Sequence, residues 1–148
     1  MTQISFHVNV PDALPYACRL LRKAYRVGAR VVVTGPQREL QQLDKLLWTF
    51  EPLEFVPHVM VHAGAVADAS VQAQRQGTPI WLMAQLTQDV PAEAVVLNVG
   101  EEPPEGVERF ARMIDIVPAA EAQRDAGRRR WKHYLAAGHS PEKHEVAD

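Results

Sequence analysis

Gln3-Ile4-Ser5-Phe6-His7-Val8-Asn9-Val10 alternates polar and apolar side chains from end to end. A period of two reads as a β-strand with one buried face. Pro11-Asp12 interrupts it, and Asp12 is a residue type that caps helices. Ala13, Ala17, Leu20, Leu21, Ala24 and Tyr25 then fall near helical spacing, with Arg19, Arg22, Lys23 and Arg26 elsewhere, and Gly28 marks the stop. Val31-Val32-Val33 is a short continuous apolar run, which suits a strand buried on both faces. Gly35-Pro36 breaks it before a second helical pattern over 39–50, carried by Leu40, Leu43, Leu46, Leu47 and Phe50. Strand, helix, strand, helix in this order predicts a right-handed βαβ core. The expected fold is α/β: a single three-layer α/β/α domain with a mainly parallel sheet.

The later segments are shorter. Residues 55–62 read as extended, and Pro57 argues for an edge or a loop rather than a central strand. Residues 63–76 read as a loop. Residues 79–83 and 94–99 read as strands, 107–112 as a short helix and 113–117 as the last strand. Ala119–Ala137 forms the long final helix. Residues 1–138 make up the domain, and 139–148 a polar, flexible C-terminal tail.

The chain of 148 residues is long enough to bury a core without disulfide or metal staples. Its one cysteine, Cys18, has no internal partner, which suits a reducing compartment. The N-terminal residues lack a basic and then apolar signal pattern, and no apolar run approaches the ~20 residues that span a bilayer. The expected location is cytoplasmic, with no membrane partner. A net charge of -2 argues against binding polyanions by bulk charge. The charge is uneven, however: Arg124, Arg128, Arg129, Arg130 and Lys132 stand against the single acid Asp125.

Catalytic and cofactor patterns are missing. No GxGxxG, GxxxxGK[ST] or GxSxG occurs, and Pro36 lacks the N–H that a phosphate loop would donate. His58 and His62 are four apart but have no cysteine nearby and no regularly spaced third ligand, so the expectation is no metal and no cofactor. His7 and Asp12 make no recognisable triad. Cys18 lies on the apolar side of its helix and reads as core. Glu101-Glu102, before Pro103-Pro104, read as solvated carboxylates.

The last helix says more. Arg124, Arg128, Trp131, Lys132 and Leu135 are three and four apart and form one stripe, while Arg129, Arg130 and His133 point elsewhere. Arginine grips carboxylates with two N–H groups, lysine supplies a point charge, and tryptophan offers an apolar wall. Spacing alone leaves two readings open. One is an anion-binding stripe; the other is a solvated face with Trp131 packed into the core. Gly127 costs the helix about 1 kcal/mol relative to alanine and marks either a close approach or a weak spot.

Three stretches carry a family likeness: Leu43-Asp44-Lys45-Leu46-Leu47-Trp48 with Phe55-Val56-Pro57-His58, then Ile114-Asp115-Ile116-Val117-Pro118, then Arg128-Arg129-Arg130-Trp131-Lys132-His133-Tyr134 with Ala137-Gly138. In order and spacing the chain resembles the chi subunit of bacterial DNA polymerase III holoenzyme, an accessory protein of the clamp loader. The resemblance implies an α/β/α fold, no enzymatic activity and two partners. The first is the acidic C-terminal tail of single-stranded DNA-binding protein, which ends in Pro-Phe. Val117 and Trp131 would flank the terminal ring, Lys132 and Arg128 would hold the carboxylate and nearby acids, and Arg124 shares their stripe. The second is the psi subunit, facing Trp48, Phe55 and Pro57. The family often has Tyr where Trp131 stands, so here an N–H replaces a hydroxyl.

The leading expectation is therefore a non-catalytic replication adaptor that contacts nucleic acid only indirectly. Direct nucleic-acid binding through the basic helix is the alternative. An enzyme on the α/β core would need a polar cleft at the strand ends, and none is evident in the sequence.

Overall fold

The computed structural model describes residues 2–50, 55–61 and 75–146. Strand β1 (Gln3–Val10) leads to helix α1 (Ala13–Arg26), β2 (Val31–Thr34) and helix α2 (Gln37–Thr49). Four strands follow: β3 (His58–Val61), β4 (Ile80–Met83), β5 (Val95–Asn98) and β6 (Arg112–Pro118). Helix α3 (Glu121–Ala136) and strand β7 (Glu142–Glu145) end the described chain. The strands form one sheet in the order β3-β4-β2-β5-β6-β1-β7. Every pairing in it is parallel.

Sequence alternation explains the two cores. Val31 and Val33 pack on one face with Ala17, Cys18 and Leu21 of α1 and Leu40, Leu43 and Leu47 of α2. Val32 points to the other face with Ile4, Phe6, Met113, Val117 and Tyr134 of α3. Among the described residues, α1 and α2 cover one face and the last helix, α3, covers the other, which makes three layers. Pro57 precedes β3, which is an edge strand as expected.

One detail of β1 departs from simple alternation. Ile4, Phe6 and Val8 pack on the α3 face, whereas Val10 packs on the α1 face. A bulge between His7 and Val10 shifts the register against β6, with Asn9 at φ 60°. Asparagine tolerates this left-handed conformation better than most residues, and the extra residue re-aims everything after it.

Several elements differ from what the sequence led one to expect. The segment 113–117 is not the last strand, and residues 139–148 are not wholly an unpaired tail. Glu142–Glu145 pairs with β1 instead. Backbone hydrogen bonds fix this strand, so its polar side chains gave no apolar period to read. The helix expected over 107–112 is a 3-10 turn, Val107–Arg109, and Arg112 already belongs to β6. Asp12 occupies the N-cap of α1 but makes no side-chain capping bond. Tyr25, read as part of the apolar face, is exposed. Residues 75 and 76 are helical rather than loop; residues 63–74, the rest of that expected loop, and His62, expected to be extended, lie outside the described residues.

Candidate functional site

Helix α3 seats itself on the sheet through Ala126, Gly127, Arg130 and Tyr134, all buried. Gly127 has a steric reason: a Cβ there would stand 2.7 Å and 2.9 Å from the two methyls of Val117. The helix backbone therefore lies directly against Val117. Arg130 is the electrostatic anchor. Its Nε donates to both Asp115 carboxylate oxygens at 3.0 and 2.9 Å, and Nη2 donates to Oδ1 at 2.8 Å. Nη1 donates to the Glu101 carbonyl at 2.9 Å. The two side chains are 2% and 0% exposed, so this is a fully desolvated pair. Burial pushes the Asp115 carboxyl up from its ordinary range, while Arg130 and a bond from Asn98 pull it back.

With Arg130 turned inward, the adjoining face of α3 looks into a cleft of about 620 Å³. All of Val117, Arg124, Arg128, Trp131 and Lys132 line it. The floor comes from Phe6 and Val8 of β1 together with Val117. Trp131 is half-buried and stands edge-on to Phe6, with ring centroids 5.0 Å apart. It packs partly into the core and lines the cleft with the rest of its ring. Arg128 Nη1 lies 2.8 Å from Asp125 Oδ1, but both side chains are more than half exposed, so the pair is weak and replaceable. The cleft also contains Asn9, Gly127, Lys143 and Glu145, none of them singled out as site residues in the sequence. Alternation in β1 and the weak spot at Gly127 were the available signals; nothing signalled β7. Leu135, the last residue of the stripe, is exposed and does not line the cleft.

A second surface lies at the opposite edge of the sheet. Trp48 and Phe55 are 59% and 54% exposed, large values for aromatic side chains. Their ring centroids are 5.1 Å apart, and His58 stands 5.1 Å from Trp48. Pro57 is half-buried beside them. His58 Nδ1 lies 2.7 Å from the Val56 carbonyl, and Nε2 lies 3.0 Å from Asp44 Oδ1 without hydrogen-bond geometry. Exposed aromatic clusters of this kind mark interfaces more often than they occur by chance. At a strand spacing of about 4.8 Å, β3 and β7 are roughly 29 Å apart across the sheet.

A third cleft, of about 780 Å³, sits beyond the ends of β2 and β5. No polar cleft at this place was evident from the sequence. Glu39, Glu101, Glu102 and Glu105 face it against Arg38, a charge balance that opposes phosphate. Its buried polar groups satisfy one another: Thr34 donates to Asn98 at 3.1 Å, and Asn98 donates to the carbonyls of Gly100 and Glu102. Among the described residues no group of His, Cys, Asp and Glu is arranged to hold a metal ion. His62, half of the histidine pair considered above, lies outside them. No helix among the described residues is long and apolar enough to cross a membrane.

Comparison with known proteins fits this geometry into a family. The family model described as DNA polymerase III chi subunit, HolC, matches residues 1–142. The chain belongs to the DNA polymerase III chi subunit family. It is 28% identical over 152 residues to DNA polymerase III subunit chi of Pseudomonas aeruginosa, covering 99% of this chain and 98% of that one. The chi subunit of Haemophilus influenzae is 27% identical over 123 residues, 82% and 79% of the two chains. Among solved structures, the C-terminal domain of the DEAD-box protein Dbp5 superposes with a TM-score of 0.65 at 12% identity, covering 100% of this chain and 92% of that one. That likeness speaks for the α/β fold alone. As a chi-family chain, the protein is an accessory subunit of DNA polymerase III in DNA replication.

Proposed function

We propose that this chi-family chain is a non-catalytic adaptor of the clamp loader, joining the psi subunit to the acidic C-terminal tail of single-stranded DNA-binding protein. The observation that carries the proposal is the convergence of Val117, Arg124, Arg128, Trp131 and Lys132 on one cleft. A peptide ending in phenylalanine offers two groups that match it. The ring fits between Val117 and Trp131, where burying a phenylalanine contributes about 1.5–3 kcal/mol. The terminal carboxylate and neighbouring acids meet Lys132 and Arg128, with Arg124 further along the helix. Anchor ring plus charge-assisted hydrogen bonds is a recurring mode of peptide capture. The cationic groups are solvated, so binding is weak and falls with added salt.

Psi would dock on the Trp48, Phe55 and Pro57 surface. Its position at the far sheet edge supports simultaneous engagement of both partners, as bridging requires.

Titration of a labelled acidic tail peptide tests the reading. Arg128→Ala and Lys132→Ala weaken binding and leave the fold intact; parent affinity in both removes the site. A gel shift with bare single-stranded DNA separates the adaptor from direct nucleic-acid binding, which would show a steep salt slope set by phosphate contacts. The inward turn of Arg130 favours the adaptor, because it takes one arginine of the basic run out of reach of any phosphate.

A further inference from the structure

We propose that β7 is the second wall of the peptide cleft, with Lys143 attracting and Glu145 repelling acidic side chains upstream of the terminal residue. The inference deepens the tail-binding reading and rests on it. It starts from register. Parallel pairing sets Phe6 beside Lys143, His7 beside His144 and Val8 beside Glu145. Side chains alternate along both strands, so Lys143 and Glu145 share the face of Phe6 and Val8. That face is the cleft floor. His144 goes to the opposite face, where its ring lies 5.0 Å from His7.

The strand is held on that opposite face. Val146 N–H donates to the Val8 carbonyl at 3.0 Å, and its side chain packs on the α1 layer. A slip of one residue would reverse both faces, and this anchor opposes it. Lys143 has no ion-pair partner among the described residues. The cations of α3 and the ammonium of Lys143 therefore flank the apolar floor from two sides. Among the described residues Glu145 is the one carboxylate lining the cleft, and it repels an acidic ligand. The family match ends at residue 142, so both residues lie outside it.

The test uses the full chain and two labelled peptides ending in phenylalanine, one with upstream aspartates and one with asparagines in their place. Lys143→Ala weakens the acidic peptide roughly two- to five-fold and Lys143→Glu about ten-fold, as expected for solvated charge pairs. Glu145→Gln tightens it about two-fold. All three effects shrink towards none with the asparagine peptide. If Arg128→Ala and Lys132→Ala weaken binding while the β7 variants match the parent, the second wall is refuted and the tail-binding reading stands. If none of these variants changes affinity, both are refuted. All the substituted β7 positions are exposed, so misfolding does not confuse the result.

Discussion

Arg130→Met removes the fork that anchors α3 and keeps a stem of similar bulk. The parent pair is fully desolvated, with three short bonds between Arg130 and Asp115. Taking away one partner strands a buried carboxylate, a change that costs about 3–5 kcal/mol. A domain of this size is stable by only about 5–15 kcal/mol, so the loss is large. Replacing both partners with apolar side chains is different. Asp115→Leu with Arg130→Met leaves no buried charge. The Glu101 carbonyl loses one bond, at about 1–3 kcal/mol, while the Asn98 amide keeps its bonds to Gly100 and Glu102. The double variant should therefore be less destabilised than either single one, with a coupling of at least about 2 kcal/mol. Urea unfolding of the four proteins measures it. Acid supplies a second check. In Arg130→Met, the lone Asp115 is held above its unfolded pKa, so stability is lower at neutral pH and recovers as pH falls towards about 4. Single-variant losses below about 1 kcal/mol, or losses that simply add, would refute the claim that this pair fixes the helix.

Three other perturbations follow from the same geometry. Gly127→Ala gains about 1 kcal/mol of helix propensity but drives a methyl into Val117, an overpacking cost of about 1–3 kcal/mol; thermal unfolding should show net destabilisation that lessens when Val117→Ala is also present. Trp48→Ser and Phe55→Ser remove exposed rings, so stability should change by less than about 1 kcal/mol; under the proposed function, capture of psi on immobilised protein should drop. His7 is held down to about 4, by burial first and then by His144 and Arg112. Its unfolded value near 6.5 is higher, so the unfolded chain takes the proton first and stability falls as pH drops from about 6.5 to about 4. His7→Gln should flatten the unfolding midpoint across that window.

The parallel α/β core was legible because burial writes itself into period. Val31-Val32-Val33 has to be buried on both faces, and the α2 leucines have to share one. The cleft was half legible. Residues three and four apart on a helix share a face wherever the helix packs, so Arg124, Arg128 and Trp131 could be grouped in advance. Which neighbouring residue turned inward was hidden, because Arg128, Arg129 and Arg130 look alike until Asp115 is placed opposite one of them. Phe6 read only as core, since nothing in β1 says that its face extends past the helix covering it. Strand β7 was missed for a different reason. Glu142-Lys143-His144-Glu145 is charged throughout and exposed, and edge strands of that composition lack the pattern that reveals interior ones.

The cleft between α3 and β7 is proposed to take a C-terminal phenylalanine. Titrating the parent chain with two acidic peptides, identical except that one lacks the terminal phenylalanine, tests it most directly. Saturable binding of the first, weakened by Arg128→Ala and Lys132→Ala, is expected, with most of that affinity lost for the second. Equal binding of the two peptides would contradict it, reducing the cleft to a basic surface without a pocket for the ring.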